Sequence, residues 1–358
     1  MTAGRYAKFS GVGSALPRRV VPNSFFESMV ETSDQWIVER TGIRERRFAG
    51  PEDTTSSLSA EAASAALRSA GVLPEAVDLM IVATCTPDRL LPSTGAYVQA
   101  RLGMSCPAFD LNAACAGFVY SVQIAEAQIR AGSADRVLVI GAEILSRVLN
   151  LTDRTTCVLF GDGAGAALLE PAEEPGVIDS VLALDGRQAN LLTIPAGGIE
   201  EPATPASVAA NRHTIAMPDG QAVFKQAVVG MANACTELLE KAGLEPGDVN
   251  AVIAHQANSR IIAAVGKRLG MDPDRVFLDI AEVGNTSAAS IPIAVDRAWR
   301  AGRLSPGDLV LTAAFGAGFA WGANLIRWTA PDPDGGTQVD RAAAVAAGES
   351  RPDRDPDV

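Results

Sequence analysis

Three residues of this chain have types and settings suited to covalent acyl chemistry: Cys115, His255 and Asn285. Cys115 closes the segment Ala108-Phe109-Asp110-Leu111-Asn112-Ala113-Ala114, and Ala116-Gly117-Phe118-Val119-Tyr120 then opens an amphipathic stretch running to Arg130. A cysteine at a helix N-terminus feels the positive end of the macrodipole, which favours the nucleophilic thiolate. The small Ala113, Ala114, Ala116 and Gly117 leave room for a substrate to approach. Only two histidines exist to act as base or electrophile, His213 and His255. His255 ends the strand-like residues 251–254, at the end of a strand where ligands gather in α/β sheets. His213, among Asn211, Arg212 and Thr214, reads as a surface loop residue. Asn285, in Gly284-Asn285-Thr286-Ser287-Ala288, opens a second helix running to Trp299. Together the three form a Cys-His-Asn constellation.

The other four cysteines, Cys85, Cys106, Cys157 and Cys235, read as buried small residues. Five cysteines are odd in number and none has C-x-x-C spacing, so neither a disulfide framework nor a zinc site is expected. Gly11-Val12-Gly13 lacks the third glycine of a dinucleotide fingerprint, and Gly161-Asp162-Gly163-Ala164-Gly165 lacks a phosphate-loop lysine; both read as turns or close backbone packing. Phe315-Gly316-Ala317-Gly318-Phe319 could aim backbone N–H groups at an oxyanion, or be a plain hairpin turn.

The elements that must hold these residues occur twice. Ala70-Gly71-Val72-Leu73-Pro74-Glu75-Ala76-Val77 precedes a strand-like run, and 172 residues later Ala242-Gly243-Leu244-Glu245-Pro246-Gly247-Asp248-Val249 does the same. Ile129-Arg130-Ala131-Gly132 and Trp299-Arg300-Ala301-Gly302 are a second echo. Cys115 and Asn285, 170 residues apart, stand at the same strand-to-helix junction of the two copies. A duplicated α/β unit follows. Its continuous apolar strands imply sheets covered on both faces, with helices between and outside two mixed, mostly parallel sheets. The expected organisation is an N-terminal half at 1–172 carrying the cysteine, a C-terminal half at 173–330 carrying His and Asn, and an acidic tail at 331–358. With seven acids, three arginines and few large apolar residues, the tail is expected to be disordered.

The chain has 358 residues, 47% of them apolar and 20% charged, as in a globular protein with a large core. A net charge of -12 repels a phosphate backbone, so nucleic acid is not an expected partner. No signal-peptide pattern is read at the N-terminus. The uncharged run 309–326 reads as two buried strands about a glycine turn rather than a membrane span, so a cytoplasmic protein is expected.

Taken together, Ala113-Ala114-Cys115-Ala116-Gly117-Phe118, His255-Gln256-Ala257-Asn258, Gly284-Asn285-Thr286-Ser287-Ala288-Ala289-Ser290 and Phe160-Gly161-Asp162-Gly163-Ala164-Gly165 resemble β-ketoacyl-[acyl carrier protein] synthase III. So does the run from Ser33 to Arg46, and the resemblance covers residues 6–328. It implies a thiolase fold, a duplicated five-layer α-β-α-β-α architecture, in a homodimer with no permanently bound cofactor or metal. The implied reaction acylates Cys115 from acyl-CoA, then condenses that acyl group with malonyl-acyl carrier protein, losing CO2. By the same resemblance, His255 and Asn285 would hold the malonyl thioester carbonyl, and the N–H groups of Cys115 and Ala317 would form the oxyanion hole. Trp36, Arg40 and Arg154 would bind CoA and Asn258 would line the pantetheine tunnel. Leu91 would end the acyl pocket and admit longer or branched primers.

Lys225, Arg260, Lys267 and Arg268 are the basic patch expected to meet the acidic carrier protein. The alternative on the same scaffold is an acyltransferase, or a priming or condensing enzyme of a specialised polyketide pathway, using the same acyl-Cys. Two donors for a carbonyl that becomes an enolate favour condensation over transfer to a heteroatom.

Overall fold

The computed structural model describes residues 5–331. The expected acidic tail, from residue 332 on, lies outside the described residues. The first sheet is built from β1 (Tyr6–Ala15), β4 (Leu79–Ala83), β5 (Ala108–Leu111), β6 (Val137–Glu143) and β7 (Gly163–Ala172), in the order β1-β7-β6-β4-β5. Between these strands run a small hairpin of β2 (Arg19–Pro22) and β3 (Glu45–Phe48) and the helices α1 (Ser24–Glu27), α2 (Asp34–Thr41), α3 (Thr55–Ala70), α4 (Thr94–Leu102) and α5 (Gly117–Arg130). The second sheet has the order β8-β11-β10-β9, from β8 (Val177–Leu184), β9 (Ala251–Ala254), β10 (Leu309–Gly316) and β11 (Ala320–Arg327). Its helices are α6 (Pro205–Ala209), α7 (Gly220–Ala242), α8 (Ser259–Leu269), α9 (Ile280–Val283) and α10 (Ser290–Arg300).

The two sheets are copies of one design. β8, β11, β10 and β9 take the places of β1, β7, β6 and β4, and a parallel bridge between Val252 and Val276 stands where β5 pairs with β4. Central α5 and α10 bury Phe118, Val122 and Ile129, and Ile291, Val295 and Trp299, in one core between the sheets. α3 and α4 cover the outer face of the first sheet, and α7 and α8 that of the second. These five layers are the thiolase-type architecture.

β6 has every residue buried because helices lie on both its faces, which is why its sequence shows no alternation. Both sheets are mixed, but parallel pairing does not predominate: three strand pairs are parallel and four antiparallel. The turn Ala317–Phe319 joins β10 directly to β11, a connection too short for a parallel pair.

Candidate active site

The N-termini of α5 and α10 meet where the two copies join. Each helix is entered through a tight turn, Ala114–Ala116 before α5 and Ser287–Ala289 before α10. The turns superpose residue for residue: Ala114 has φ 46° and Ser287 φ 49°, both left-handed. Asn112 Oδ1 accepts from Ala114 N at 3.2 Å, and Asn285 Oδ1 accepts from Ser287 N at 2.9 Å. The structural offset is therefore 173 residues. Asn285 is the counterpart of Asn112, and Cys115 is the counterpart of Ala288, which corrects the pairing of Cys115 with Asn285. The polar residues share a junction but sit three positions apart within it.

Cys115 is 8% exposed and opens onto a cavity of about 560 Å³. Ala317 and Gly318 form one edge of it, while Leu145, Leu192, Ile194 and Ile215 give it an apolar wall. Gly316 lies directly against Cys115: a Cβ there would stand 2.6 Å from Cys115 N. The turn beginning at Ala317 is thus held beside the backbone of the cysteine. Burial pushes the Cys115 thiol up to about 12; contact with the Ser287 hydroxyl pulls it down, and the Glu143 carboxylate adds to the rise. Loss of water thus opposes the thiolate that the helix terminus favours.

His255 follows β9, is 2% exposed and receives Ala313 O from β10 through its own N–H at 2.7 Å. Its Nδ1 lies 2.6 Å from Ser290 Oγ, and that oxygen also accepts from Gln256 N at 3.2 Å. A hydroxyl that accepts from Gln256 N keeps its own proton to donate to Nδ1, an arrangement that leaves the ring proton on Nε2. Burial holds the imidazole down at about 3, so the ring is neutral. Asn285 is pinned through its backbone between Leu159 O and Gly161 N, both at 2.9 Å. The segment 160–165 therefore acts as close backbone packing that fixes Asn285, and Asp162 anchors it by accepting from Ala49 N and Ser146 N. With Oδ1 committed to Ser287, the Asn285 amide keeps Nδ2 as a donor. Neither His255 nor Asn285 lines the 560 Å³ cavity; Asn285 is joined to it through Ser287, which does.

Trp36, Arg40 and Arg154 come together at the surface. The guanidinium carbons of Arg154 and Arg40 lie 4.9 and 5.9 Å from the Trp36 ring centroid. Trp36 packs on the cluster that contains Phe160 and Ile215, which line the cavity. Asn258 does not reach that cavity: it caps α8, accepting from Arg260 N at 2.8 Å and donating to Arg40 O at 3.0 Å. Lys225, Arg260, Lys267 and Arg268 are all exposed on α7 and α8, with Arg260 over the Phe224 ring at 6.0 Å. Arg260 and Lys267, seven residues apart on α8, share a helix face.

Leu91 is 84% exposed on the loop between β4 and α4 and does not line the cavity of its own chain. His213 is half-buried after α6 rather than a free surface residue. Sequence reasoning also missed two groups. Cys85 lines the cavity, and Glu143, fully buried at the end of β6, accepts from Cys85 N at 3.1 Å and from the Cys85 thiol at 3.2 Å. The signal for Glu143 was a lone carboxylate ending an otherwise apolar run, Val137-Leu138-Val139-Ile140-Gly141-Ala142.

Two duplicated sheets around a shared helical layer, with a cysteine at the head of one central helix and the turn carrying Asn285 at the head of the other, define a condensing enzyme of the thiolase-like class. The 3-oxoacyl-[acyl-carrier-protein] synthase III family model matches residues 109–186, and the C-terminal model of that family matches residues 239–328. A β-ketoacyl-[acyl-carrier-protein] synthase III of Caldanaerobacter subterraneus subsp. tengcongensis is 49% identical over 321 residues, 89% of this chain and 97% of that protein. One from Roseiflexus sp. is 49% identical over 327 residues, 91% of this chain and 99% of that protein.

Among solved structures, the 3-oxoacyl-[acyl-carrier-protein] synthase III of Aquifex aeolicus matches with a TM-score of 0.83 and 44% identity, over 90% of this chain and 100% of its own. A priming β-ketosynthase of a polyketide biosynthetic pathway matches with a TM-score of 0.85 and 37% identity, over 93% of this chain and 98% of its own. The chain belongs to the β-ketoacyl-[acyl-carrier-protein] synthase III family.

Proposed function

We propose that this protein transfers an acyl primer from acyl-CoA to Cys115 and condenses it with malonyl-acyl carrier protein, releasing CO2, CoA and a β-ketoacyl-carrier protein. In the first half, the Cys115 sulfur attacks the thioester carbonyl and CoA leaves as its thiolate. The tetrahedral oxyanion sits between the N–H groups of Cys115 and Ala317, whose approach the bare Gly316 permits. Trp36, Arg40 and Arg154 offer a ring face and two guanidinium groups for the adenine and phosphates of CoA.

In the second half, the malonyl thioester carbonyl accepts from His255 Nε2 and Asn285 Nδ2. The observation that carries this reading is that the partners of both side chains leave each of them a nitrogen to donate from: Ser290 Oγ engages His255 Nδ1 and leaves Nε2, and Ser287 N takes the asparagine oxygen and leaves Nδ2. Two neutral donors suit an oxygen that becomes negative as CO2 departs, because they bind the enolate more strongly than the ground-state thioester. The enolate carbon then attacks the acyl-Cys115 carbonyl.

In this reading, residues 1–172 supply the nucleophile and 173–330 the decarboxylation donors. The exposed Lys225, Arg260, Lys267 and Arg268 receive the acidic carrier protein, and the enzyme works without a resident cofactor, as a cytoplasmic homodimer. No helix among the described residues is long and apolar enough to cross a membrane. The test is CO2 release from malonyl-carrier protein by enzyme already acylated at Cys115. Release with formation of β-ketoacyl-carrier protein supports condensation; transfer of the acyl group to water or an alcohol with malonyl left intact supports the acyltransferase reading instead.

A further inference from the structure

His255 and Asn285 come from two different stretches of chain. His255 follows β9, and Asn285 follows α9, which is entered from residues 276–279. The two stretches start side by side: Val252 and Val276 form a parallel bridge, and Phe277 N donates to Val252 O at 2.9 Å. In a parallel pair alternate residues of each strand face the same neighbour, so continuing this ladder would join Asp279 N to Ala254 O. Instead the carboxamide of Gln256 stands between those two groups. Asp279 N donates to Gln256 Oε1 at 2.7 Å, and Gln256 Nε2 donates to Ala254 O at 2.7 Å. Nε2 also reaches Phe277 O at 3.3 Å. Gln256 is completely buried, and its amide oxygen and amide nitrogen are both engaged inside the protein.

Each end of this bridge grips one decarboxylation donor. Ala254 O belongs to the peptide group whose nitrogen is His255 N, and that nitrogen donates to Ala313 O at 2.7 Å. The peptide before the histidine is therefore held by Gln256 on one side and by β10 on the other. At the far end, Asp279 directly precedes the single turn of α9, which closes with Gly284 N on Ile280 O at 3.0 Å. Its carboxylate pairs with Arg297 Nε of α10 at 2.8 Å, and Arg297 also bonds Glu282 Oε2 at 2.6 Å, so the turn is clamped as a unit. Asn285 is the next residue after that turn. The backbone N–H of Gln256 adds a further link, to the Ser290 hydroxyl that bonds His255 Nδ1.

We propose that Gln256 is a positioning residue: its carboxamide sets the separation of His255 from Asn285, and it serves decarboxylation rather than acylation. The inference rests on the function proposed above, in which both side chains donate to one malonyl carbonyl oxygen. Two donors aimed at a single oxygen must keep a fixed spacing, because each bond weakens steeply as distance and angle depart from the ideal. The inserted carboxamide holds β9 and residues 277–279 one amide apart where a direct ladder bond would draw them together. Neither Gln256 nor His255 lines the cavity at Cys115, so acylation does not draw on this bridge.

The experiment compares the wild type with Gln256→Met and Gln256→Glu in two readings. One is single-turnover acylation of Cys115 from acetyl-CoA, followed by intact mass. The other is CO2 release from malonyl-carrier protein by the acylated enzyme, with kcat and KM resolved and measured against pH. Gln256→Met keeps the length of the side chain and loses its hydrogen bonds. Its kcat for CO2 release should fall by about 100-fold, the cost of a displacement of the order of 1 Å in a positioned reaction. Its KM for malonyl-carrier protein and its acylation rate should stay close to the wild type.

Gln256→Glu supplies a rescue that depends on protonation. A protonated carboxyl accepts from Asp279 N and donates to Ala254 O, whereas a carboxylate sets an acceptor against the carbonyls of Ala254 and Phe277. The titratable groups around the site are His255 beside it, Asp279 and Glu282 at α9, and Arg297 of α10. CO2 release by Gln256→Glu should approach the wild type at low pH and fall as the new carboxyl ionises, in a limb that acylation does not share. Wild-type CO2 release in Gln256→Met, or an equal loss of acylation and CO2 release in both variants, including by failure to fold, overturns the role. A wild type that is acylated yet releases no CO2 contradicts the proposed condensation and the role of Gln256 with it. Full CO2 release by both variants beside an active wild type removes the role of Gln256 alone.

Discussion

Gly316 and Cys115 are in backbone contact, close enough that a Cβ on Gly316 would lie 2.6 Å from Cys115 N and 3.1 Å from Cys115 Cβ. The φ of Gly316 is -143°, which any residue adopts, so the glycine is required by space rather than by conformation. The loop that offers the second oxyanion donor can approach the nucleophile only without a side chain at this position.

Gly316→Ala should therefore separate the turn 317–319 from Cys115. A displacement of the order of 1 Å costs about 100-fold in a positioned reaction. Single-turnover acylation measured beside a thermal melt should show that loss in the rate, and a variant with wild-type acylation would contradict the contact's importance.

Ser290→Ala removes the hydroxyl that bonds His255 Nδ1. The ring then loses the partner that favours its proton on Nε2. CO2 release should fall by about 10- to 100-fold, less than the loss of about 100- to 1000-fold seen when a donor of an oxyanion site is removed outright. Acyl-enzyme formation, followed by mass, should change much less.

His255 also makes stability depend on pH. Its folded pKa, about 3, lies below the unfolded value of 6.5. The unfolded chain thus binds a proton first as pH falls. The contribution is fully present above pH 6.5 and is lost between 6.5 and 3, by roughly 5 kcal/mol over the whole interval at 1.36 kcal/mol per unit. Denaturant unfolding of His255→Gln across this window should show a flatter acid limb than the wild type; parallel limbs would count against a buried neutral imidazole.

The apolar wall of the cavity bears on primer length. Leu192→Phe narrows the space beside Ile194 and Ile215 without touching Cys115. Acylation by long acyl-CoA should fall by about tenfold relative to acetyl-CoA, since a methylene in an apolar pocket is worth about 1 to 3 kcal/mol. Equal loss across chain lengths would show that primers do not extend along this wall.

Much of this architecture was legible in the order of residues. The Ala-Gly helix ends at Gly71 and Gly243 are left-handed C-caps, and the unbroken apolar runs are strands buried on both faces. Cys115 and His255 stand at strand-to-helix junctions, as their flanking residues suggested, while Asn285 follows the short α9 and precedes α10.

What escaped depended on three-dimensional approach. The repeat offset of 173 emerges from two left-handed residues, Ala114 and Ser287, and two matching asparagine turns, which no alignment of apolar runs reveals. The desolvation that opposes ionisation of Cys115 escaped because a helix terminus is visible in sequence and burial is not. Leu91, placed at a pocket by its motif, stands 84% exposed on a loop away from the cavity of its own chain. Parallel pairing was overestimated because buried antiparallel strands carry the same continuous apolar signature.

The most direct test of the central claim is the intact mass of the protein after incubation with acetyl-CoA and a series of longer and branched acyl-CoAs, alongside Cys115→Ser. A mass gain equal to one acyl group in the wild type, absent from Cys115→Ser, is the predicted result. A gain that survives the substitution, or no gain with any acyl-CoA, would contradict Cys115 as the carrier of a CoA-derived primer.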